Sequence, residues 1–215
     1  MITQIDTLLF DLDATLYPKS NGLWEVIRER MVMYMHDRLN IPLDRIDSIR
    51  DHYYVTYGTT LQGLQAHYEF DPRDYLDYVH NIPLDDFIQP DKILRKMLLS
   101  IPHRCWIFTN SDKDHTLRVL KALEIDDCFE GIIDVWTISP YCKPQREAFK
   151  MALKHANISD PGQCIFLDDS PRNLSTAHDM GIFTILVGEN GNHPSADRCM
   201  EVIHDLTITL PEIWR

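Results

Sequence analysis

The chain has no cysteine pair at CxxC spacing, no low-complexity tract and no internal repeat. It also has no uninterrupted apolar run approaching the roughly 18 residues of a membrane span. Its five cysteines, Cys105, Cys128, Cys142, Cys164 and Cys199, are odd in number, so any disulfide scheme leaves one over, and a reduced, cytoplasmic protein is expected. The ten histidines show no HxxxH or related spacing, which removes the usual zinc sites and leaves them individually as surface or packing residues. Positive charge is scarce. The 21 Lys and Arg against 33 Asp and Glu give a formal net charge of -12, which opposes binding to nucleic acid or an anionic membrane. An anionic substrate would therefore need a local cation. No basic segment precedes an apolar one at the N-terminus, so a soluble, unprocessed chain is expected.

What is present reads as a folded protein: 44% of residues are hydrophobic, 10% aromatic and 25% charged. A length of 215 residues exceeds one typical domain and is short for two, which suits a core carrying an inserted subdomain. Five short apolar runs read as buried strands: Ile5 to Phe10, Cys105 to Phe108, Ile132 to Val135, Cys164 to Leu167 and Ile182 to Val187. Helical stretches lie between the later runs. Asp112 to Leu123 opens on the cap-like SDKD, and Gln145 to His155 follows Pro144 at a first-turn position. Strands alternating with helices give an α/β class with a parallel, Rossmann-like sheet, in which ligands bind at the carboxyl ends of the strands.

The interval from Lys19 to about Pro90 holds helical patterns only. Leu23, Val26, Ile27, Met31, Tyr34 and Met35 recur at helical spacing and read as a core-facing stripe. Such an insertion is too long for a crossover. The expected division is a core of residues 1–17 and 91–215, opening with a connecting helix from Asp91 to Leu99, and a helical cap of residues 18–90.

Chemistry gathers at the strand ends. The first run closes in FDLDATLYP, and two-residue periodicity places Asp11 and Asp13 on one side of the backbone. Alone, such a pair also fits a polar strand end opening a turn. The second run closes in FTNSD, offering the Thr109 hydroxyl and the Asn110 and Ser111 amides at a helix start, where anions bind and helix caps also sit. The fourth closes in FLDDS, adding Asp168 and Asp169. Four bare acids at one sheet edge would cost several kcal/mol even at an effective dielectric of about 20. A divalent cation resolves the conflict. An all-oxygen donor set selects a hard ion, and Mg²⁺ fits best because it combines carboxylates with waters and phosphate oxygens. Lys143 in YCKP adds a point positive charge.

These four motifs, in this order, resemble the haloacid dehalogenase (HAD) superfamily of phosphohydrolases: DxDxT at Asp11, Asp13 and Thr15, a Thr at Thr109, a Lys at Lys143, and the acidic pair Asp168 and Asp169 with Asn173 three residues beyond the DDS. The resemblance spans Asp11 to Asn173 and implies a HAD-like core with a C1-type cap. DLDATLYPKSNGLW, YYVTYGTTLQGL, YLDYVHNIPLDDFIQPD and LTITLPEIW resemble, more narrowly, the pyrimidine 5′-nucleotidase branch, which usually reads DLDNTLY; Ala14 stands here in place of that Asn. The resemblance implies that Asp11 is the nucleophile and Asp13 the general acid and base. It further implies that Thr109, the Asn110 amide and Lys143 bind the phosphoryl oxygens. Mg²⁺ would be held by Asp11, the Asp13 carbonyl and Asp168, with Asp169 holding a metal-bound water or orienting Lys143. A cap closing over the site would exclude water, with Tyr57, Thr59 and Thr60 as candidate nucleoside contacts or, equally, as a capped helix start.

The implied activity is hydrolysis of a small phosphate monoester, with UMP and CMP leading. A sugar-phosphate phosphatase or phosphoglucomutase-like enzyme keeps the fold and changes the substrate. A non-catalytic binding protein of the same fold is the alternative from another class, opposed by the intact set of site residues.

Overall fold

A computed structural model describes residues 5–214 of the chain. Among the described residues six strands form one sheet in the order β3-β2-β1-β4-β5-β6: β1 is Thr7–Phe10, β2 Arg104–Phe108, β3 Gly131–Ile133, β4 Cys164–Asp168, β5 Phe183–Val187 and β6 Arg198–Met200. Every pairing is parallel. The reason is legible in β1 and β4, whose side chains are buried along their whole length, as strands covered on both faces must be. The expected five strands are present with shifted ends. β6 is an addition: three residues with one buried carry too little apolar signal to announce a strand.

β1 lies between β2 and β4, with Phe10 in register with Ile107 on one side and Leu167 on the other. The chain steps outward through β2 and β3, then returns to the far side of β1 for β4. Strand order therefore reverses at β1, and the crevice beyond its carboxyl end is the natural ligand position. Phe108, Phe149 and Phe166 pack beneath it with ring centroids 5.2 to 5.6 Å apart. Such pairs each contribute about 0.5–1.5 kcal/mol beyond their burial.

The chain divides into two compact units, one running to Asn21 and resuming at Ile88, the other Gly22–Phe87. The helical unit contains α1 (Leu23–Asp37), α2 (Leu43–Tyr57), α3 (Thr60–His67) and α4 (Pro72–His80). In α1 the stripe buries Leu23, Ile27, Tyr34 and Met35, and Tyr34 meets Phe70, Tyr75 and Tyr78 edge-on. Thr59 caps α3, its side chain accepting from the Gln62 amide, so the capping role considered for it is realised. Tyr57, half-buried, bonds through its hydroxyl to His67 Nε2, and Thr60 is buried in the first turn of α3.

The sheet unit carries α5 (Lys92–Ser100), capped by Asp91, and α6 (Lys113–Ala122), capped by Asp112. It also carries α7 (Arg146–His155), α8 (Pro171–His178) and the single turn α9 (Leu206–Thr209). Pro144 lies before the Gln145 cap rather than in the first turn of α7. No helix among the described residues is long and apolar enough to cross a membrane.

Candidate active site

Asp11 is the first residue past β1, and its amide still bonds the Leu167 carbonyl at 2.8 Å, which sets the carboxyl at the strand-order reversal. Lys143 reaches it from the loop before α7. The Lys143 ammonium, 1% exposed, donates to Asp11 Oδ1 at 2.7 Å, Asp168 Oδ2 at 2.8 Å and the Phe108 carbonyl at 2.8 Å, which uses all three of its hydrogens. The Phe108 and Phe166 rings also face it, with centroids at 5.1 and 5.2 Å. Buried charge is tolerated only with this degree of pairing.

The lysine's backbone is held as firmly. The Asn110 side chain accepts from the Lys143 amide at 2.8 Å and donates to its carbonyl at 3.0 Å. Asn110 thus clamps the end of β2 to the Lys143 segment, a role its sequence position did not reveal. Thr109 is buried, and its hydroxyl accepts from the Ser111 amide at 3.0 Å, so that amide is engaged within the turn.

Asp168 ends β4 fully buried, with Asn173 Nδ2 at 3.0 Å from both carboxylate oxygens and the Ser170 amide at 2.8 Å from Oδ1. Lys143 is therefore oriented by Asp168 and Asp11; it donates no hydrogen bond to Asp169, the partner weighed for it above. Asp11, Asp168 and Asp169 each offer a carboxylate oxygen within 4.8 Å of one another. Burial first, and then its acidic neighbours, raise the Asp11 carboxyl well above the usual range against the pull of Lys143. Burial and the Asp168 charge push Asp169 up to about 6.

Three carboxylates against one ammonium leave two negative charges when all are ionised. A divalent ion with oxygen preference fits that deficit and that donor set. The Asp13 carboxylate turns away from this cluster to other partners, in keeping with the expectation that only the backbone carbonyl of Asp13 would face a metal.

Of those partners the sequence marked neither Tyr17 nor His115, and marked Ser111 for its amide alone. The Asp13 carboxylate accepts from the Tyr17 hydroxyl at 2.6 Å and His115 Nε2 at 2.9 Å, both on Oδ1, and from the Ser111 hydroxyl at 2.7 Å on Oδ2. Burial works against ionisation of Asp13, but His115, Tyr17 and Ser111 outweigh it and hold the carboxyl well below its usual range. The general reading of the histidines as surface or packing residues is corrected at His115, which is 1% exposed and bonded to a motif carboxylate. Its signal was faint: a histidine in the first turn of a helix that starts at the functional edge of the sheet. Ala14, between Asp13 and Thr15, has a left-handed backbone with φ 64°.

Residues 5–181 match the sequence profile of haloacid dehalogenase-like hydrolases. Phosphate metabolism protein 8 of Saccharomyces cerevisiae is 30% identical over 189 residues, covering 80% of this chain; the chain spans 58% of that relative's length. Among solved structures, the HAD-family protein YfnB of Bacillus subtilis, bound to magnesium, aligns with a TM-score of 0.62 at 16% identity, over 96% of this chain and 98% of that one. L-2-haloacid dehalogenase of Xanthobacter autotrophicus, with chloropropionic acid covalently bound, aligns with a TM-score of 0.61 at 13% identity, over 97% and 99%.

Proposed function

The chain belongs to the haloacid dehalogenase-like hydrolases, and from that premise we propose that it is a Mg²⁺-dependent phosphomonoesterase working through an aspartyl-phosphate on Asp11. One observation carries this reading: a buried Lys143 bonded to both Asp11 and Asp168, with a second carboxyl, Asp13, two residues from the first and separately held. A dehalogenating hydrolase expels halide, which needs no proton. A phosphatase expels an alkoxide, which does, and Asp13 supplies a place for it.

In the first step an Asp11 carboxylate oxygen bonds to phosphorus, the bond from phosphorus to the ester oxygen breaks, and that oxygen takes the proton of the Asp13 carboxyl. In the second, water attacks the same phosphorus, gives a proton to the Asp13 carboxylate, and the bond to Asp11 breaks to release phosphate. The ionised state favoured by Tyr17, Ser111 and His115 is the one the second step needs. The protonated state needed first is favoured when a phosphate anion arrives beside it. Lys143 and the Thr109 hydroxyl, with the Asn110 amide, would stabilise charge spreading over the phosphoryl oxygens. Asp11, Asp168 and Asp169, with the Asp13 carbonyl, would hold the metal. Bound there, Mg²⁺ supplies positive charge that draws the phosphoryl oxygens to Asp11 and offsets the repulsion between two anions.

The proposed substrate is a pyrimidine nucleoside 5′-monophosphate, supported by the resemblance of DLDATLYPKSNGLW and YYVTYGTTLQGL to that branch. The name of the yeast relative is consistent with a phosphorylated metabolite. Phosphate release from nucleoside monophosphates and sugar phosphates in Mg²⁺ tests the reading. UMP and CMP are expected to turn over fastest. Faster release from sugar phosphates would move the substrate and leave the mechanism, and no release from any ester would overturn both.

A further inference from the structure

We propose that Tyr17, Ser111 and His115 are positioning residues that fix the Asp13 carboxyl for proton transfer to the leaving group; the inference rests on the phosphatase reading above. Tyr17 arrives from the turn after β1, where the Leu16 amide bonds the Leu12 carbonyl at 3.0 Å and brings residues four apart onto one side. Ser111 and His115 arrive from the β2 end and the first turn of α6, 98 and 102 positions away in sequence. Three donors from three places converge on one side chain.

A carboxylate presents about four acceptor positions, two on each oxygen. Tyr17 and His115 fill both on Oδ1 and Ser111 fills one on Oδ2, which leaves a single position, on Oδ2, for the proton exchanged with substrate. Without these bonds the side chain would rotate among staggered positions and lose the near-attack geometry on which proton transfer depends. His115 and Tyr17 are 1% and 5% exposed, so the solvent cannot substitute for either.

The test exploits leaving-group chemistry. An alkyl phosphate expels an alkoxide that needs a proton; p-nitrophenyl phosphate expels a stable phenolate that does not. The parameter kcat/KM reports only steps up to departure of that group, so the later role of Asp13 as base does not enter. Tyr17→Phe, Ser111→Ala and His115→Gln, beside Asp13→Asn, are measured on UMP and on p-nitrophenyl phosphate with Mg²⁺.

Each positioning variant is expected to lose at least about tenfold on the alkyl ester and less than about threefold on the aryl ester, in the same direction as Asp13→Asn and short of its loss. Tyr17→Phe removes one oxygen only and keeps the question answerable if the His115 variant does not fold. A native protein that cleaves both esters, with variants that lose equally on both or on neither, overturns this inference alone. A native protein that cleaves neither overturns the phosphatase reading with it.

Discussion

The Lys143 ammonium bridges Asp11 and Asp168, at 2.7 and 2.8 Å, across the point where the strand order reverses. Removing it leaves two carboxylates buried without their cation. Lys143→Met is expected to destabilise the fold by about 3–5 kcal/mol, the usual result of breaking a buried pair from one side. Phosphate release should fall at least about 100-fold, since a transition-state donor is lost too. Chemical denaturation and a steady-state assay on the same preparation check both values.

The acidic cluster makes the metal-free protein sensitive to pH in a definite direction. Asp169 is pushed up to about 6 when folded, against about 3.9 unfolded, so its ionisation costs stability as pH rises through that interval, and the cost is complete above it. In EDTA, Asp169→Asn is expected to be more stable than the native protein by about 1–3 kcal/mol at about pH 8. The difference should shrink toward zero at about pH 4. Adding Mg²⁺ should stabilise the native protein more than the variant. Thermal melts across pH, with and without the metal, measure all three effects.

Ala14 occupies a left-handed conformation that costs a residue with a β-carbon about 1–2 kcal/mol. Asn tolerates it better, which gives a backbone reason for the Asn that the resembling sequences carry. Ala14→Gly removes the clash at some cost in chain entropy, and a net gain of about 0.5–1 kcal/mol is expected. Equilibrium unfolding decides; a variant less stable than the native protein would refute the backbone account.

In the helical unit, a β-carbon on Gly63 would stand 2.1 Å from Tyr53 Cγ, so α2 and α3 pack at a distance that only glycine permits. Tyr53 also stacks flat against His67, with centroids 5.2 Å apart, and has little room to yield. Gly63→Ala is expected to cost about 1–3 kcal/mol by overpacking, read as faster proteolysis within Gly22–Phe87.

What the sequence revealed follows from what is local. The continuous apolar runs of β1 and β4 and the acids ending them are short-range patterns, so the parallel sheet, Asp11, Asp168 and Asp169 were legible. β6 was not, because its pattern is three residues long. His115 and the Ser111 hydroxyl were not, because their meaning depends on β1 and β2 being neighbours, a pairing between segments about a hundred residues apart. Asn110 was read for its amide, whereas its side chain turned out to clamp Lys143.

The central claim is that Asp11 carries the phosphoryl group in a site that needs Mg²⁺. Its most direct test is phosphate release from the best monophosphate substrate by the native protein and by Asp11→Asn, each with Mg²⁺ and with EDTA. The account predicts release by the native protein with metal, recovery when metal is restored after EDTA, and none above background from Asp11→Asn. An Asp11→Asn protein that keeps the native rate, or a native protein equally active in EDTA, would contradict it.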